Sequence, residues 1–251
     1  MAYGVSDKDR RGGIAIQTNP GVGIEAVAFD LDSTLCFYPL SVEEVLRESL
    51  RRTGVPPEVV GELTSAATRY AQLWSEFQTT LEATERIRLH IIERLLRERG
   101  TDDLACAKRL SDAYGAVRGE TGVRPFSGIV PLLRDLKQRY ALGLLTNGPS
   151  DMQWEKIRSL GLASLFDAIV VAGDLAIYKP DARAFELLAD RLGVPGNAIL
   201  FVGDSYELDV VGAHRAGMRT AWIRDDGTAP TGDVLPDFEI AGTASLREVL
   251  L

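Results

Sequence analysis

The chain has 251 residues, 45% of them hydrophobic and 25% charged, with a formal charge of −8 at pH 7. That length allows one large domain or a core with a smaller insertion, and the acidic balance argues against a nucleic-acid backbone binder, which needs a lysine and arginine excess. No run of ~18 apolar residues offers a membrane span. The two cysteines, Cys36 and Cys106, lack metal-ligand spacing and read as free thiols in a reducing, cytoplasmic setting.

Residues 1–23 carry charges and glycines but no apolar core of signal-peptide length, and read as a loosely ordered N-terminal tail. Ala26 to Phe29 is a short apolar run of the kind found in buried strands, and it ends on Asp30 and Asp32. Two carboxylates one residue apart repel each other unless a cation or a shared proton compensates. Residues 36–40 are too short and proline-broken to continue a strand. Ser41 with Glu44 has capping-box spacing and opens a helix that Gly54 closes. Helices are then expected over 58–78, 83–99 and 101–118, the last with Leu104, Leu110, Tyr114 and Val117 facing inward. These four helices, with no good strand among them, form an all-α unit inserted into something else.

After Arg124-Pro125 the rhythm changes. Helices over 127–139, 150–160, 181–192 and 207–216 alternate with buried-type strands over 141–145, 168–171, 198–202 and 220–223. Such alternation implies βαβ units and a parallel sheet, to which the opening strand also belongs. The fold class is therefore α/β, a doubly wound parallel sheet with a helical insertion. Its core is expected over 24–38 and 125–251, and the inserted domain over 39–124, with hinges near Pro39 and Pro125.

Polar residues sit just past several of these strands, where open α/β sheets bind ligands. Thr146-Asn147-Gly148 supplies a hydroxyl, an amide and loop N–H groups suited to an anion near a helix N-terminus, although the same residues make ordinary turns. Lys179-Pro180 precedes the next helix. Asp204 ends another strand, with Asp209 five residues later, and converging carboxylates of this kind form a hard-oxygen site suited to Mg²⁺.

In order, Asp30-Leu31-Asp32-Ser33-Thr34, Thr146-Asn147-Gly148, Lys179-Pro180 and Gly203-Asp204 with Asp209 resemble the four motifs of the haloacid dehalogenase-like hydrolase superfamily. The inserted helices resemble its helical cap, on a Rossmann-like core. Leu145-Thr146-Asn147-Gly148 with Gln153 and Lys156-Ile157, then 166–171, resembles the phosphatase branch that includes N-acylneuraminate phosphatase and 5′-nucleotidase-like members. The resemblance implies a Mg²⁺-dependent phosphatase acting on a small phosphorylated metabolite, a sugar phosphate or nucleotide-like ester. It implies Asp30 as nucleophile and Asp32 as acid/base, with a metal held by Asp30, Asp204, Asp209 and the backbone carbonyl of Asp32. Thr146 and the N–H of Asn147 would grip the phosphoryl group, and Lys179 would neutralise charge. It also implies that an acid/base at position 32 sets the chain apart from the dehalogenase branch.

Two alternatives stay open at this point: a phosphomutase resembling β-phosphoglucomutase, and a non-catalytic binding or regulatory protein on the same fold. The position after the second aspartate is usually glycine in the superfamily and is Ser33 here, which would be strained if the turn needs a positive φ. His90 and His214 lack spaced partners and are not expected to bind metal. Cys36 reads as packing. Arg69, Trp74 and Arg86 are within the cap and could reach a substrate. The arginine-rich faces around Arg86, Arg88, Arg94, Arg97 and Arg99 read as solvated helix surface.

Overall fold

The computed structural model describes residues 23–80, 83–224 and 230–251, together with a strand at Ala15–Ile16. In chain order the elements are β1 (Ala15–Ile16), β2 (Ala26–Phe29), β3 (Cys36–Phe37), α1 (Val42–Thr53), α2 (Leu63–Phe77), α3 (Thr84–Arg97), α4 (Leu104–Thr121) and β4 (Arg124–Pro125). They continue as α5 (Ile129–Leu136), β5 (Ala141–Thr146), α6 (Ser150–Ser159), β6 (Ala168–Val171), α7 (Ala182–Leu192), β7 (Ile199–Gly203), α8 (Gly212–Arg215), β8 (Arg219–Ile223), β9 (Phe238–Ile240) and α9 (Leu246–Leu250). Among the described residues, no helix is long and apolar enough to cross a membrane.

The main sheet has the order β1-β9-β8-β7-β2-β5-β6. All of its pairs are parallel except β1 with β9. β2 sits in the middle, bonded to β5 on one side and β7 on the other, so Phe29 lies level with both Leu144 and Val202. Its side chains alternate between two cores: Val27 and Phe29 pack with Leu133 and Ile157 on one face, Ala26 and Ala28 with Phe185 and Leu188 on the other. A strand covered on both faces has no polar side, which is why it reads as a continuous apolar run. The connection order reverses at β2, which opens a crevice beyond the carboxyl ends of β2, β5 and β7.

The four helices α1 to α4 leave the sheet after β3 and return at β4. They bury a core of their own, in which Val45, Leu46, Ile87, Ile91, Leu110 and Val117 meet. The capping box holds as expected: Ser41 accepts from the N–H of Glu44, and the Ser41 N–H donates to the Glu44 carboxylate at 2.7 Å.

Several elements differ from the sequence reading. Cys36–Phe37 does form a strand, because the outgoing and returning chains pair there antiparallel, Cys36 with Pro125 and Phe37 with Arg124. Leu104 is 62% exposed rather than inward-facing, since it is the first residue of α4, just after the Asp103 cap. The helix expected over 207–216 begins instead as a π-helical turn, Tyr206–Val211. The strand Ala15–Ile16 falls inside the segment read as a tail, the rest of which, up to residue 22, lies outside the described residues.

Candidate active site

Each polar residue singled out at a strand end lies in the crevice because its strand places it there. Asp30 follows β2 directly, and its N–H donates to the Val202 carbonyl at 2.9 Å, which keeps it in register with β7. Thr146 is the last residue of β5, and Asp204 follows the last residue of β7. Lys179 arrives from the loop before α7. Its ammonium donates to Asp30 Oδ1 at 2.6 Å and to Asp209 Oδ1 at 2.7 Å, and is itself buried. The Asp209 carboxylate also accepts from the N–H of Ser205 at 2.9 Å.

Asp30, Asp204 and Asp209 each offer an oxygen, and these atoms lie within 4.8 Å of one another. Burial, with the nearby Asp209 carboxylate, outweighs the attraction of Lys179 and raises the Asp30 pKa to about 7. Burial and the charges of Asp30 and Asp209 push Asp204 well above the usual carboxylate range. Burial alone would lower Lys179, but its two carboxylate partners more than offset that and raise it. Three carboxylates around one ammonium leave an excess of negative charge in a low-dielectric site. An all-oxygen donor set with that excess fits a hard divalent cation, and it is the one group of metal-ligating side chains among the described residues.

Gly203 is required for this packing. A Cβ added there would lie 2.3 Å from Asp209 Cγ and Oδ2, evicting a carboxylate that Lys179 and the Ser205 N–H hold in place. Gly203→Ala is therefore expected to destabilise the fold by ~1–3 kcal/mol and to weaken divalent-cation binding. Thermal unfolding and calorimetric titration check this, and wild-type values in both would refute the packing argument.

Asp32 stands apart from the carboxylate cluster. Both of its oxygens accept from the Lys156 ammonium, at 2.7 and 2.8 Å, and Gln153 Nε2 donates to Oδ2 at 3.0 Å. Lys156 and Gln153 are buried on one face of α6. Gln153 also reaches Thr146 Oγ1 at 2.6 Å and the Asn147 carbonyl at 2.5 Å, so one side chain sets the positions of three residues around the crevice. The Asn147 side chain is spent on Lys179: its amide donates to the Lys179 carbonyl at 3.0 Å, and its oxygen accepts the Lys179 N–H at 2.9 Å. Ser33, in the turn between the two motif aspartates and β3, has φ 62°. A non-glycine residue in that left-handed region carries roughly 1–2 kcal/mol of strain, and the Ser33 N–H donates to the Cys36 carbonyl at 2.8 Å.

Lys156, Gln153 and the positioning role of the Asn147 side chain go beyond the roles read from the sequence. For α6 a signal existed: Gln153, Lys156 and Ile157 share helical spacing, so two polar residues lie on the face that Ile157 marks as buried. For Asn147 there was none, because its partner is 32 residues away. Cys36 is buried, with its thiol donating to the Leu31 carbonyl, and Cys106 is buried as well. His214 is exposed, and His90 packs near the ring of Phe77. Trp74 does line the cleft, whereas Arg69 turns to Glu98 and Arg86 is exposed. Arg88 does not fit the reading as solvated surface, since it is partly buried against α4.

A family model described as haloacid dehalogenase-like hydrolase matches residues 24–217. A glyceraldehyde 3-phosphate phosphatase of Methanopyrus kandleri is 31% identical over 90% of this chain and 97% of its own length. An N-acylneuraminate-9-phosphatase of Rattus norvegicus is 38% identical over 47% of this chain and 49% of its own. Among solved structures, one titled 2-haloacid dehalogenase from Pseudomonas syringae pv. Tomato DC3000 superposes with a TM-score of 0.63 at 32% identity, covering 90% of this chain and 97% of that one. With most of its length matched by the family model and by full-length relatives alike, the chain belongs to the haloacid dehalogenase-like hydrolases and is an enzyme of that family.

Proposed function

We propose that the enzyme is a Mg²⁺-dependent phosphatase that hydrolyses a small phosphate monoester through an aspartyl-phosphate on Asp30, with α1 to α4 as its cap. The observation that carries this reading is the position of Asp32. It lines both the pocket that holds Asp30, Asp204, Asp209 and Lys179 and the cavity between cap and core. A carboxyl group at that junction can serve an oxygen that departs from phosphorus toward the cap. Halide departure needs no proton, whereas the alkoxide of a phosphate ester does, so an acid held there favours phosphate chemistry. The relatives named as phosphatases support the same reading.

In the first step an Asp30 oxygen attacks phosphorus as the ester P–O bond breaks, and Asp32 gives its proton to the departing oxygen. In the second step Asp32 takes a proton from water, which attacks phosphorus and releases Asp30 and inorganic phosphate. Lys179 offsets charge on Asp30 and the phosphoryl oxygens. Thr146 Oγ1 and the Asn147 N–H bind those oxygens, and positioning with charge stabilisation is most of what phosphoryl transfer requires. Asp30, Asp204, Asp209 and the Asp32 carbonyl would hold Mg²⁺, whose charge counters that of the phosphate dianion when bound.

Chelation tests the reading. EDTA is expected to reduce phosphate release to background, Mg²⁺ to restore it, and Ca²⁺, which prefers more ligands at longer distances, to support it poorly. Undiminished turnover in chelator would overturn the metal-dependent site.

A further inference from the structure

The cavity between cap and core has a volume of about 580 Å³, within the range of small-molecule sites. Asp32 lines both this cavity and the pocket that holds Asp30, so the leaving group of an ester held at Asp30 has a path into it. Its lining includes Tyr38, Trp74 and Tyr114, and two arginines, Arg88 from α3 and Arg118 from α4. Three arginines of the helical block are partly buried among the described residues: Arg69, Arg88 and Arg118. Arg69 pairs with Glu98 at 2.8 Å, but Arg88 and Arg118 have no carboxylate within ion-pair distance among the described residues.

Both guanidinium groups are held in place by neighbouring groups. Arg118 donates to the Leu40 carbonyl at 2.5 Å and to Tyr114 Oη at 3.1 Å, and lies over the Tyr38 ring at 4.6 Å. Those two bonds use two of its five N–H groups. Arg88 reaches the Ser111 carbonyl at 3.4 Å and crosses α4 at Gly115, where an added Cβ would sit 1.9 Å from its Nη1. The other carboxylates lining the cavity are engaged or exposed. Lys156 holds Asp32, Lys108 faces Asp112, Thr84 donates twice to Asp151, and Glu85 and Glu155 are exposed.

We propose that Arg88 and Arg118 bind a second anionic group on the leaving group, so that the preferred substrates are phosphate monoesters carrying a carboxylate or another phosphate. A partly buried guanidinium without a counter-charge is costly, and the planar fork of arginine matches both of those anions. The proposal rests on the phosphatase reading and specifies its substrate class.

The test compares esters that differ only in the second anion. Wild-type kcat/KM for 3-phosphoglycerate is expected to exceed that for glycerol 3-phosphate by at least ~10²-fold, given the strength of charge-assisted hydrogen bonds. A pair of 1,3-propanediol bisphosphate and propyl phosphate reads whether a phosphate serves as well as a carboxylate. Arg88→Met and Arg118→Met are each expected to shrink the preference by ~10-fold or more, mainly through KM. Gly115→Ala keeps both charges but displaces the Arg88 head group, so it is expected to shrink the preference too, in a helix that alanine favours. Hydrolysis with no preference within either pair overturns the proposal, and so does a preference that survives all three substitutions. Turnover of p-nitrophenyl phosphate alone overturns the proposal and leaves the phosphatase reading standing. No phosphate release from any ester overturns both.

Discussion

Asp30→Asn is expected to lower phosphate release by at least ~10⁴-fold, the scale on which loss of a nucleophile registers. No phosphoenzyme should be trapped from any substrate. The amide keeps the shape of the carboxylate, and Lys179 retains Asp209 as a partner at 2.7 Å, so the site stays assembled. Burial and Asp209 already disfavour a charged Asp30, and the substitution removes that repulsion. Activity should therefore fall without a matching fall in thermal stability. Mass spectrometry of quenched reactions, beside a melting curve, checks both halves. Turnover within ten-fold of the parent, with ~10 as a generous bound for a spectator residue, would remove Asp30 from the chemistry.

Asp32→Asn is expected to affect alkyl and aryl phosphates unequally. The departing alkoxide of an alkyl phosphate is strongly basic and needs a proton, and general acid catalysis is worth ~10²–10⁴-fold. p-Nitrophenolate is a weak base and leaves without one. The variant should thus release a burst of p-nitrophenol in rapid mixing, then stall with phosphate on Asp30, because water attack has lost its base. Alkyl phosphates should show no burst and the full loss. Equal losses on both, with nothing trapped, would count against Asp32 as the acid/base. The same substitution leaves Lys156 buried without its counter-charge, and breaking a buried pair costs ~3–5 kcal/mol. A second variant, Asp32→Asn with Lys156→Met, removes that penalty while still lacking the proton, so the burst should persist in it.

The fold was legible in the sequence wherever burial on two faces left no choice. The run from Ala26 to Phe29 is apolar throughout because helices cover both sides, and the strand at Ala168–Val171 appears with the expected bounds. The strand-end residues were legible for a related reason. A polar side chain directly after such a run lies in the one crevice the topology opens, which is where Asp30, Thr146 and Asp204 lie. What escaped depends on pairing between distant segments. Nothing in Cys36–Phe37 or Arg124–Pro125 alone marks a strand; each becomes one because the other is beside it. Arg88 looked like any arginine on a charged helix until α4 presented Gly115 to it. Ser33 lies between, since the rule that disfavours a positive φ outside glycine identified the strain, and the turn does adopt φ 62°.

The insertion of a helical block directly after the first central strand also orders events during synthesis. β2 has no edge of its own to rest on: Val27 pairs with Leu142 and Leu200, which leave the ribosome long after it. At ~5–20 residues per second, the wait for β7 is roughly 10–35 s. The helices between β3 and β4 bury a core among themselves, and α1 packs directly against α4. The block can thus close while the nascent chain still holds an unpaired apolar strand upstream. Closing it brings Phe37 beside Arg124 and shortens the loop that β2 must span to reach β5. Loop closure over the remaining distance then costs less entropy. The helical block is in this sense the first scaffold of the sheet it interrupts.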